Sequence, residues 1–149
     1  MTRRSIKLWW DLIGTGDVLK VLFGEREQTI KAARLMIERF RQGENLSISR
    51  RHLQLFAREL ESGTLGVKYS YHGFYTKLVR KLLILGLLEK GMAWNPKRRT
   101  TIRIYQLRVQ SITERPPPYG FYKYTWQIAK AWNDMILEVV PEPQSETNA

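Results

Sequence analysis

The sequence predicts an α+β fold that is mostly α. Apolar residues recur at helical steps of three and four in the stretches 26–42, 49–61, 70–85 and 121–140, whereas only 87–109 reads as two extended segments joined by a turn. At 43% hydrophobic and 26% charged, the composition is that of a folded chain, and 149 residues are enough to bury a core. That length is most simply one domain.

From the N-terminus, Ile6 to Ile13 follows Ser5 and Val18 to Phe23 follows Asp17, two short helix candidates each preceded by a side chain able to cap it. Gly14 and Gly16 between them mark a turn; with no strand before them and no Gly-Lys-Ser/Thr after, they do not make a phosphate loop. Trp9 and Trp10 are adjacent, so at most one of them faces a core. Over 26–42 the stripe Ile30, Ala33, Met36, Ile37 and Phe40 opposes Lys31, Arg34, Glu38 and Arg41, and Gly43 stops the helix. Leu46 to Ile48 alternates apolar, polar, apolar, a short strand.

Ser49 then caps a helix whose inner face is Leu53, Phe56, Ala57 and Leu60, closed at Ser62 and Gly63. Arg50 and Arg51 fall in its first turn, where the helix dipole disfavours cations and a phosphate partner would offset the cost. After a connector over 64–69, Ser70 caps the next helix, which reaches Leu85 and stops at Gly86. At about 100° per residue it places Phe74, Leu78, Val79, Leu82 and Leu85 on one side and Gly73, Thr76, Lys77, Arg80 and Lys81 on the other. Leu87 to Trp94 and Thr101 to Val109 read as strands around the turn Asn95 to Arg99. Ile102 and Ile104 share one face while Leu107 and Val109 share the other, which a bulge near Tyr105 would reconcile.

Pro116, Pro117 and Pro118 predict a stiff extended linker over 111–120. Beyond it Phe121, Tyr124, Ile128, Ala131, Trp132, Met135 and Val139 form the apolar stripe of an amphipathic helix over 121–140, ended by Pro141, with a disordered tail over 141–149. The organisation expected is thus a helical extension over 1–24, a core domain over 25–110, the linker, and a C-terminal helix that pairs with its own copy or docks. Its excess of apolar residues, with Trp126 and Trp132 among them, favours a homodimer in which Phe121, Tyr124, Ile128, Trp132, Met135 and Val139 meet their counterparts. A protein partner at the Trp-rich terminal segments is the alternative.

Charge narrows the partner. There are 25 Lys and Arg against 14 Asp and Glu, a net charge of +11 and a pI near 10.1. Between Ser47 and Arg108 lie thirteen bases and three acids, and from Asp134 on there are four acids and no base. A cation surplus this local points to a polyanion, nucleic acid first and an acidic membrane surface second. With no cysteine and two histidines, a metal centre is not expected, nor is any other cofactor. No apolar run approaches the ~18 residues of a membrane span, and the first residues lack the apolar region of a secretory signal. Cytoplasmic work at the nucleoid is the expected setting. The acids of the basic region, Glu59, Glu61 and Glu89, do not pair as acid and base, and no nucleophile stands beside a base, so no catalytic residues are expected.

The order helix, short strand, helix, helix, strand, basic turn, strand, with the run LVRKLLILGLLEK from Leu78 to Lys90 as the end of one helix, its glycine stop and the next strand, resembles the winged helix-turn-helix superfamily of DNA-binding domains over residues 25–110. The resemblance implies a major groove read by the helix over 70–85, and a wing over 95–100 on backbone or minor groove. It departs from the pattern in the long connector from Gly63 to Tyr69. Side chains able to address base edges there are Ser70, His72, Thr76, Lys77 and Arg80. Backbone contacts would come from Arg50, Arg51, Lys81, Lys97, Arg98, Arg99 and Thr100. Tyr69, Tyr71 and Tyr75 can stack on bases or pack in the core. The expected function is binding of double-stranded DNA as a transcriptional regulator; the superfamily also includes RNA-binding and protein-interaction modules, so such a role in a larger assembly is the alternative.

Overall fold

A computed structural model describes residues 17–137, an α+β arrangement dominated by helix with a small antiparallel sheet. The expected helix over 6–13 with Trp9 and Trp10 in it, Val139 and the tail all lie outside those residues. Two compact units divide the chain: Leu22–Arg108 forms one, and the described residues up to Val21 and from Val109 on belong to the other.

The central unit follows the short helix α1, Val18–Phe23. Helix α2, Glu27–Arg41, buries Ile30, Ala33, Met36, Ile37 and Phe40, the stripe its periodicity predicts, together with Thr29 and Ala32. Gly43 makes the exit possible, because a Cβ there would meet the Ser47 carbonyl oxygen at 2.1 Å. Strand β1, Ser47–Ser49, buries Ile48. Helix α3, Arg50–Ser62, is capped by Ser49, whose side chain accepts from the His52 amide at 3.0 Å, and it ends at Gly63 in the left-handed conformation, φ 80°. Its buried face is Leu53, Phe56, Ala57 and Leu60. Phe56 meets Phe74 at 5.7 Å between ring centres, the aromatic centre of the core. Arg39 binds α2 to α3 at the surface, lying over the Phe56 ring and reaching Glu59 at 3.4 Å.

The connector after α3 is tied down at both ends. The amides of Gly63 and Tyr69 both donate to the Leu60 carbonyl, and the Tyr69 hydroxyl reaches the buried Thr29 hydroxyl at 3.1 Å. Helix α4 follows as one continuous run of three pieces, Tyr71–Gly73, Phe74–Val79 and Arg80–Ile84. Ser70 caps it, accepting from the Gly73 amide at 2.9 Å. The middle piece is a widened π turn, in which the Arg80 amide bonds five residues back to Tyr75.

The faces of this helix follow the expected stripe with two exceptions. Phe74, Leu78, Val79 and Leu82 are buried as expected, but Leu85 is 47% exposed past the helix end. Gly73, expected outside, is buried: a Cβ on it would meet the Ser70 hydroxyl at 2.7 Å, so the cap itself covers that position.

Strands β2, Leu88–Asn95, and β3, Thr100–Leu107, pair antiparallel from Leu88↔Leu107 to Asn95↔Thr100, and β1 joins the far edge of β3 through Ile48↔Tyr105, giving the order β1-β3-β2. The expected bulge near Tyr105 is absent, for pairing is continuous through it. Tyr105 and Leu107 are buried, while Ile102 and Ile104 are half-buried on the opposite side, so both faces of β3 carry apolar residues without a slip in register. At the turn, Asn95 Oδ1 accepts from the Lys97 and Arg98 amides at 3.0 and 3.3 Å, and Arg99 takes a left-handed φ of 55°.

In the other unit, helix α5, Phe121–Leu137, buries Trp132, Asn133 and Ile136. The residues before it are no free spacer. Asn133 clamps the Gln110 backbone, Oδ1 accepting from its amide at 2.7 Å and Nδ2 donating to its carbonyl at 2.9 Å, and Trp126 donates its indole N–H to the Thr113 carbonyl. One expectation for the dimer face is corrected, since Trp132 is wholly buried within the chain, whereas Phe121 is 73% exposed. Tyr124, Ile128 and Met135 are half-buried. Among the described residues no helix is long and apolar enough to cross a membrane.

Candidate nucleic-acid interface

The first turns of α3 stand against the edge of β3 and the β2–β3 turn, and the space between is an open cleft of about 800 Å³. Five arginines line it, Arg50, Arg51, Arg58, Arg98 and Arg103, with Gln54 among them and no acidic residue. A second cleft, of about 420 Å³, shares Arg50 and Arg103 and extends along the hairpin past Lys90 and Met92 to Tyr105. The two form one basic track. Like charges this close repel, and Arg50 and Arg51 also sit at the positive end of the α3 dipole. An anion on the track relieves both terms, because it meets guanidinium forks and a positive helix end together.

Next to this track stands an aromatic cluster that fixes α4. Tyr71 and Tyr75 lie 5.1 Å apart, Arg58 stacks over the Tyr71 ring at 4.7 Å, and Gln54 Nε2 donates to the Tyr71 hydroxyl at 3.2 Å. Burial, first, and then the neighbouring Tyr71 and Tyr105 push the Tyr75 phenol far above the ordinary tyrosine range, so it stays a neutral hydroxyl.

The residues expected at base edges separate into two groups. His72, Lys77 and Arg80 are exposed on α4. Ser70 is spent as the cap, and the Thr76 hydroxyl donates back to the His72 carbonyl at 2.8 Å, which occupies its proton within the helix. Of the residues expected on the DNA backbone, Arg50, Arg51 and Arg98 line the cleft, and Lys97, Arg99 and Thr100 are exposed at the turn. Lys81 is a correction: its ammonium bonds the Leu22 carbonyl and lies over the Phe23 ring, held against the end of α1. Tyr69 is likewise withdrawn from stacking by its bond to Thr29, and Tyr71 and Tyr75 are half-buried.

Sequence reasoning missed Arg58, Gln54 and Arg103. Helical spacing carries the first two, since Gln54 and Arg58 fall four and eight residues after Arg50 on the same side. Arg103 is placed only by the strand register, opposite Met92. Among the described residues no three His, Asp or Glu side chains gather so as to hold a metal ion. No family model, curated protein or solved structure matches the chain.

Proposed function

We propose that this chain binds double-stranded DNA as a winged helix-turn-helix regulator. In that reading α4 enters the major groove with His72, Lys77 and Arg80 toward base edges, while the arginine cleft and the turn over 95–100 hold the phosphate backbone. One observation carries it: five arginines and no acid line a cleft between α3 and the wing, beside a helix whose outer face bears Lys77 and Arg80. The order α2, β1, α3, α4, β2, β3 and the sheet order β1-β3-β2 support it. Phosphate contacts fix position and supply affinity; the exposed α4 side chains supply discrimination.

The test is affinity for random-sequence duplexes as a function of salt. Binding is expected to weaken steeply as salt rises, and Arg51→Ala with Arg103→Ala to flatten the slope by about one per arginine while weakening all sequences alike. Arg80→Ala should instead relax preference among sequences. Duplex binding that is absent at low salt, or indifferent to salt, removes the proposal. The strongly exposed Tyr119, Phe121 and Tyr122 support a second element of it, a homodimer that sets two copies of α4 on successive half-sites.

A further inference from the structure

The hairpin carries a feature that duplex binding does not use. In the β2–β3 register Leu88, Lys90, Met92 and Trp94 share a face, opposite Leu107, Tyr105, Arg103 and Thr101. Near the body this face is core, with Leu88 and Leu107 buried. Toward the turn the same face emerges, with Met92 60% and Trp94 61% exposed. A large indole left in water on this strand costs hydrophobic stabilisation that Thr or Lys at that position would not forgo.

The residues that share its face identify its occupant. Arg103 is cross-strand from Met92, and with Arg50 and Lys90 it lines the cleft that this face continues. Glu89 lies on the opposite face, paired with Arg108 at 3.4 Å, so no carboxylate interrupts the basic side. An apolar protein surface would leave these cations desolvated and unpaired. A lipid surface would want a broader apolar face. A cationic track with an aromatic at its end instead matches a chain that alternates phosphates with flat π faces. In an intact duplex those faces are stacked inside and out of reach.

We propose that Trp94, with Met92 beside it, is a stacking platform for unpaired bases, so that the protein favours DNA containing a locally opened segment over the same DNA fully paired. The proposal rests on the DNA-binding reading above, and adds to it which form of DNA is held. The displaced strand lies along Arg50 and Arg103, phosphates on the guanidiniums, with an extruded base on the indole.

The experiment compares three DNAs at one salt concentration, a perfect duplex, the same duplex with a short central bubble, and an oligothymidine strand, with the wild-type chain and with Trp94→Ala and Trp94→Phe. The wild type is expected to prefer the bubble, with indole fluorescence quenched on binding. Trp94→Ala should lose roughly 5- to 150-fold on the bubble and on the single strand, the range that stacking of one base is worth, and within about twofold nothing on the duplex, while Trp94→Phe keeps most of the affinity. Thermal melting of each variant controls for folding. If wild type binds duplex in a salt-dependent way but Trp94→Ala weakens all three DNAs equally, or none, the platform is wrong and the duplex reading stands. If the single strand and bubble bind through Trp94 but the duplex does not, the duplex reading is wrong and the platform stands. Absence of binding to all three overturns both.

Discussion

Tyr75 sits between the aromatic core and the basic track, in contact with Phe74 on one side and Tyr71 on the other. Its phenol is held well above the ordinary value near 10, chiefly because burial penalises the phenolate. The folded chain therefore keeps this proton at pH values where the unfolded chain has begun to release it. The associated stability is fully present below the unfolded value and is lost as pH rises past it. Stability above about pH 10 is accordingly expected to fall less steeply in Tyr75→Phe than in wild type, measured by thermal melting at stepwise alkaline pH. An identical slope in the two proteins would mean that Tyr75 titrates as an exposed phenol. At this scale much of the site was legible: Arg50, Arg51 and Arg98 follow from cap position and turn chemistry, both local signals. Arg103 was not, because its place in the cleft is set by a pairing with β2, and Lys81 misled because its carbonyl partner, Leu22, is 59 residues away.

Among the elements, the connector from Gly63 to Tyr69 decides how α4 is presented. Its length departs from a tight helix-turn-helix turn, yet its bonds to the Leu60 carbonyl and to Thr29 leave it little freedom. Thr29 is buried on α2, so the Tyr69 hydroxyl satisfies a polar atom that has lost its water. Tyr69→Phe removes that partner and leaves the Thr29 hydroxyl buried and unmatched, at an expected cost of about 1–3 kcal/mol by chemical denaturation. A Thr29→Val, Tyr69→Phe pair should recover part of the loss, since neither atom is then stranded; a pair as unstable as the sum of its single changes would show that the two hydroxyls are not coupled. Helix faces and strand partners in this unit were legible because periodicity is a local property. The π turn over Phe74–Val79 was not, because every residue there is compatible with an ordinary helix. Gly73 was misplaced because the Ser70 cap folds over it, and the apolar stripe was carried to Leu85 because the helix stops one residue earlier.

For the whole molecule, charge and core coincide in one segment. Between Leu22 and Arg108 there are eighteen Lys and Arg and seven Glu, a surplus equal to that of the entire chain. The same segment holds the fully buried Phe40, Phe56, Phe74, Leu53, Leu60, Leu78, Leu82 and Leu88, and it is longer than the ~60 residues at which a domain begins to bury enough surface to stand alone. A fragment of residues 22–108 is therefore expected to unfold in one cooperative transition and to retain the salt-dependent slope of duplex binding, since the arginine cleft and the turn over 95–100 both lie within it. What it should lose is avidity. With α5 and its exposed Phe121 and Tyr122 removed, light scattering should report a monomer where a homodimer is expected of the full chain, and affinity for a site with two half-sites should fall by far more than affinity for one half-site. Equal affinities of fragment and full chain for both sites would leave the homodimer without support, and a fragment that folds but loses its salt slope would place the phosphate contacts in the flanking segments rather than in the cleft.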